Sequence, residues 1–154
     1  MFKLDSIKLG KILKILLIFI FIISIPTIII LPFLLNHNYS IKYSMFIIYQ
    51  NGILMLGIMY NFIKLFKSLE NNNPFNYDNV KILKNTGYIS FIMSILWIID
   101  LLIMVFIIKN TYINYMLVLI FLFFLFFGVG LALILLCLLF KQATDYKIEN
   151  DLTI

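Results

Sequence analysis

Long apolar runs separated by short polar segments set the reading of this chain. Residues 15–35 carry no charge and are interrupted only by Ser24, Pro26, Thr27 and Pro32. Residues 43–63, 88–108 and 115–140 are comparably apolar, and the third run contains one charge, Asp100. A bilayer core of roughly 30 Å needs about 20 apolar residues of helix, so each run is long enough to cross once. The pattern predicts an all-α membrane protein, a four-transmembrane-helix bundle forming one domain over residues 1–154. A short cytoplasmic helical hairpin at 64–87 and a C-terminal helical extension at 141–154 complete it.

The first run follows a basic leader but has 21 residues, whereas a cleaved signal peptide has an apolar region of roughly 7–15. Asn36-His37-Asn38-Tyr39 follows it in place of small-residue cleavage chemistry. It is expected to stay as a signal anchor. Ahead of it, Lys8, Lys11 and Lys14 recur among Ile7, Leu9, Ile12 and Leu13. This spacing predicts a short basic amphipathic helix lying in the membrane interface before the chain turns inward.

Composition supports the membrane assignment. The chain is 64% hydrophobic and 12% charged, against about 45–50% and about 25% in soluble proteins; mean hydropathy is +1.09. One histidine and one cysteine exclude a disulfide scaffold and a tetrahedral Cys/His zinc site. His37 reads as a solvated turn residue and Cys137 as apolar packing. The net charge of +5 comes from 12 lysines against 7 acids. Ten lysines lie in residues 1–14, 64–87 and 141–154, and only Lys42 and Lys109 lie in the other connections. This asymmetry places both termini and the central loop in the cytoplasm, with the protein in the cell membrane. It also accounts for the basic excess without a nucleic-acid surface, so no direct nucleic-acid contact is expected. Tyr39, Tyr43, Tyr112 and Tyr115 flank the outer ends and Tyr88 an inner end, as interface anchors do.

The central loop has its own organisation. The second run continues as a stalk, Lys64-Leu65-Phe66-Lys67-Ser68-Leu69-Glu70, until Asn71-Asn72-Asn73-Pro74-Phe75 breaks it. Asn76 then fits an N-cap, with Asp78 in the first turn of a helix that runs through Gly87 into the third span. The tail is acidic after Lys147 while the stalk is basic, which predicts contact between tail and hairpin.

Asn73-Pro74-Phe75, Asn79-Val80 and Gly87, after the Leu65–Leu69 stalk, resemble the central loop of a bacterial four-span membrane family, domain-of-unknown-function family 2975. Glu149-Asn150-Asp151-Leu152-Thr153-Ile154 resembles that family's C-terminal signature. The chain departs from the pattern in carrying only lysine at Lys81 and Lys84, where relatives often have arginine, and so lacks the guanidinium fork. The resemblance implies no reaction. It does imply a partner, because genes of such proteins often lie beside one for a small helix-turn-helix regulator of the Cro type. On that reading Asn73, Pro74, Phe75, Asn79, Val80, Glu149, Asp151 and Leu152 form a docking motif; on the other they form a self-contained cap.

Asp100 is the ionisable residue within a span, and such residues are functional candidates. It lies roughly 12 Å from the outer end at about 1.5 Å per residue. Equal counts in the other spans reach Gln50, Asn51 and Thr27. A carboxylate at that depth is expected to be protonated or bonded to the amides. This polar set reads either as interhelical glue or as the site of a small transport, channel or ligand-sensing protein. Gly128 and Ala132 form a small-xxx-small pair suited to close packing within the bundle or to a homodimer. The chain has no intramembrane nucleophile–base pair and no phosphate loop. Neither enzyme activity, a cofactor nor a metal site is therefore expected. The favoured reading is a non-enzymatic regulatory or interaction protein, with the Asp100 site as the alternative.

Overall fold

The computed structural model describes residues 2–34, 40–71, 73–108 and 113–152. Four helices follow one another: α1, Phe2–Leu34; α2, Ser40–Glu70; α3, Tyr77–Ile103; and α4, Ile113–Leu152. All four are long and apolar enough to cross a membrane, and the protein is an all-α multi-pass membrane protein. His37, Tyr39, Lys109 and Tyr112 lie outside the described residues, as do the side chains of Lys42, Tyr43 and Tyr115.

The helices pair in chain order, α1 on α2, α2 on α3, and α3 most extensively on α4. Lipid supplies no hydrophobic drive between helices, so close backbone approach matters. Gly87 of α3 and Gly130 of α4 provide it. A Cβ on Gly130 would lie 3.0 Å from the Phe91 ring and 3.3 Å from the Gly87 carbonyl oxygen, and one on Gly87 would meet Ile134 at 2.9 Å. The expected Gly128/Ala132 contact within the bundle is not formed. Among the described residues nothing lies within 4 Å of a Cβ at Gly128, and Ala132 is exposed. Two residues turn the helix by about 200°, so with Gly130 inward Gly128 points away. At the hairpin end, Leu83, Leu133 and Cys137 form a small core against Phe62, Leu65, Val80 and Phe140.

Two features depart from the sequence pattern. The basic segment before the first span does not turn as a separate interfacial helix; α1 is continuous from Phe2 and carries Pro26 and Pro32 within it. Lys14 ion-pairs with Glu70 at the end of α2, and Gly10 lies against Leu69. That anchorage accords with the unbroken helix, since Lys14 is held against the end of α2. The second departure is a π-helical turn, Met104–Ile108, that follows α3 directly. The Met104 N–H donates to both the Asp100 and the Leu101 carbonyl oxygens.

Candidate functional site

Two polar clusters tie α2 to α3. The first is the hairpin at residues 71–76. Asn76 has extended backbone angles (φ −148°, ψ 158°), and its side-chain oxygen accepts from the Asn79 N–H at 2.8 Å, the N-cap its sequence position predicts. Ser68 is the hub. Its Oγ donates to the Asn73 carbonyl oxygen at 2.8 Å and accepts from Asn79 Nδ2 at 2.8 Å and from Asn76 Nδ2 at 3.1 Å. One donor and two acceptor sites exhaust a hydroxyl. Asn79, 2% exposed, also donates to the Pro74 carbonyl oxygen at 2.7 Å.

The end of α4 lies along this hairpin. Tyr77 OH donates to Asp145 at 2.6 Å, and Lys147 Nζ donates to Asn73 Oδ1 at 3.0 Å. The Phe75 and Phe140 rings meet with centroids 5.4 Å apart, and Cys137 Sγ donates to the Val80 carbonyl oxygen at 3.4 Å. The hydrogen bond to Asp145, together with its charge, raises the Tyr77 phenol above its ordinary 10.0. The expected contact between tail and hairpin is thus present, and a phenol–carboxylate and a lysine–amide bond contribute to it.

Asn79 and Val80 are consumed by this packing, the first buried and the second half-buried. Asn73, Phe75, Glu149, Asp151 and Leu152 stay exposed, with Pro74 half-buried. Tyr146, Ile148 and Leu152 add exposed apolar surface on the tail. Beside the cap, a polar depression of about 300 Å³ lies between the end of α2 and the start of α3, lined among others by Lys64, Lys67, Asn71, Asn73 and Asp78.

The second cluster lies within the membrane-spanning part. Asp100 is 1% exposed. Gln50 Nε2 donates to its two carboxylate oxygens at 3.0 and 3.3 Å, and Asn51 Nδ2 donates at 3.4 Å and to the Ile47 carbonyl oxygen at 3.1 Å. Asn51 Oδ1 and Trp97 Nε1 are buried with no hydrogen bond among the described residues. Gln50, Asn51 and Asp100 therefore come together. Thr27 does not join them: it is exposed, and its hydroxyl donates to the Ile23 carbonyl oxygen of its own helix at 2.8 Å. Among the described residues no group of His, Cys, Asp and Glu is placed to hold a metal.

The sequence reading misses Ser68, the Tyr77–Asp145 pair and Lys14–Glu70. A signal for Ser68 is its position one turn before the Asn-rich break, where a hydroxyl can close the turn. The buried hydroxyls of Thr86, Ser90 and Ser94 are also missed; each donates to a carbonyl oxygen one turn back on α3, which satisfies them without an interhelical partner.

A family model described as "Protein of unknown function (DUF2975)" matches residues 34–154, which covers α2 to α4 with both polar clusters. No curated protein matches the chain, and no solved structure does.

Proposed function

The chain belongs to this family of unknown function, DUF2975, and we propose that it is a non-enzymatic regulatory protein that docks a cytoplasmic partner on its hairpin and tail. The observation that carries the reading is the clamping of α4 along the hairpin by Tyr77–Asp145, Lys147–Asn73 and Phe75–Phe140. This holds the tail as a firm projection. At about 1.5 Å per residue the 40 residues of α4 reach roughly twice the hydrocarbon thickness, so its end stands clear of the apolar core. The lysine distribution supports a cytoplasmic location for that end.

The projecting surface carries Tyr146, Ile148 and Leu152 among Glu149 and Asp151. An acidic, apolar-studded helix end suits a basic partner. A small helix-turn-helix regulator, which the family resemblance suggests, has a basic DNA-reading face. Occupying that face would hold the regulator at the membrane in competition with DNA. Affinity purification from native membranes, with the captured protein identified by mass spectrometry, tests this. The full chain should retain a small DNA-binding protein, and E149K/D151K or removal of residues 150–154 should release it without loss of membrane insertion. Unchanged capture by these variants overturns the proposal.

A second reading rests on Asn51 Oδ1, a buried acceptor with no hydrogen bond among the described residues, next to the Asp100 carboxylate. The π turn that opens at Met104 supports it, since such turns recur at functional sites. In this reading Gln50, Asn51 and Asp100 serve a small transport, channel or sensing protein. Proton and monovalent-cation flux into vesicles should be lost in Asp100→Asn at unchanged expression. Absence of flux with the unaltered chain rejects it.

A further inference from the structure

The depression beside the hairpin lies between the end of α2 and the start of α3, and of its lining only Asn73 is engaged by a described hydrogen bond from the tail. Lys64 and Lys67 lie one turn apart on α2 and therefore on one face. Both are exposed, and Lys64 is held 4.5 Å over the Tyr60 ring. A third cation, Lys147, reaches the rim where its Nζ meets Asn73 Oδ1 at 3.0 Å. The exposed Asn71 adds an amide, and Asp78 is the single acid of the lining. We propose that this depression binds a phosphate-bearing anion, with Lys64 and Lys67 as the cationic contacts and Asn71 as a further donor.

The reasons are charge, size and depth. Ammonium groups bind phosphate oxygens through charge-assisted hydrogen bonds. The volume of about 300 Å³ matches the small end of ligand sites and takes a phosphodiester or a free phosphate. The uncharged run of α2 ends at Ile63, directly before Lys64, which puts the lysines at headgroup depth. Two sources fit that chemistry: the headgroup of an anionic lipid, and soluble phosphate.

The test uses the full-length chain. In one arm it is reconstituted into mixed phosphatidylglycerol–phosphatidylcholine vesicles, and co-released lipid is counted by native mass spectrometry. In the other arm the thermal midpoint in neutral micelles is read with inorganic phosphate against chloride at equal ionic strength. Enrichment of phosphatidylglycerol assigns the lipid source, and a phosphate-dependent rise in midpoint without enrichment assigns the soluble one. In either case K64Q/K67Q should weaken the apparent affinity about thirtyfold, while K81Q/K84Q, which removes the same charge from exposed positions outside the depression, leaves it intact. A response that K64Q/K67Q does not weaken, one that K81Q/K84Q weakens equally, or no response to either probe overturns the proposal.

Discussion

Asn79 reaches back eleven residues to Ser68, and its buried amide nitrogen donates to the serine Oγ at 2.8 Å. The bond closes the turn between α2 and α3 from inside, because the same hydroxyl donates to the Asn73 carbonyl oxygen. The Asn-rich loop is therefore a fastening rather than a free linker.

Ser68→Ala removes the acceptor shared by the Asn76 and Asn79 amides. Its expected cost is about 1–2 kcal/mol, since the buried Asn79 amide loses one of its two partners and the half-buried Asn76 amide one of its own. The measurement is thermal unfolding by circular dichroism in micelles. Asn71→Ala, an exposed change in the same loop, should leave the midpoint in place.

The Tyr77–Asp145 bond gives a pH dependence of known sign. The folded phenol is raised above its ordinary 10.0, so the contact is fully present below pH 10 and is lost as pH rises through the higher folded value. The difference in phenolate absorbance between the unaltered chain and Tyr77→Phe should titrate above pH 10. In Asp145→Asn, the Tyr77 component should move back toward 10.

Helix packing separates two glycines only two positions apart. Gly130→Leu should loosen the pairing of α3 and α4 by about 1–3 kcal/mol, as overpacking does, because Phe91 and the Gly87 carbonyl oxygen stand at the site. Gly128→Leu enters open space within the chain and should leave the unfolding midpoint unchanged. A homodimer built on Gly128 and Ala132 would show itself in the same variant as a loss of crosslinked dimer.

Within the membrane, Asn51→Leu should destabilise α2 against α3 by about 0.6–1.7 kcal/mol, the scale of interhelical side-chain bonds in lipid. Gln50→Leu should cost a similar amount, because both amides donate to one carboxylate. A double-mutant cycle with Asp100→Asn should show that most of each effect depends on Asp100.

Depth along the membrane was legible in the sequence; rotation about the helix axis was not. Counting residues from the span ends aligns Gln50, Asn51 and Asp100, and the structure joins them. The same count includes Thr27, which stands on an exposed face of α1 and bonds to its own backbone. A nearly uniform apolar helix gives no amphipathic phase from which to tell the two faces apart. The same blindness selects Gly128 where the packing uses Gly130 and Gly87. Local chemistry read better: Asn76 caps α3 because capping needs only its own residue and the next turn. Ser68–Asn79 and Tyr77–Asp145 join residues distant along the chain, and no period announces them.

The two polar ties between α2 and α3 have a mechanical consequence. Gln50 and Ser68 are separated by about 27 Å along the helix, so the pair is bolted at two heights. Sliding one helix past the other by a single turn, about 5.4 Å, would break both bolts together. Piston motion between these helices is thereby blocked, and with α4 packed along α3 the three move as one plate. α1 joins that plate, because it packs on α2 more extensively than α3 does and is latched to it by Lys14 to Glu70.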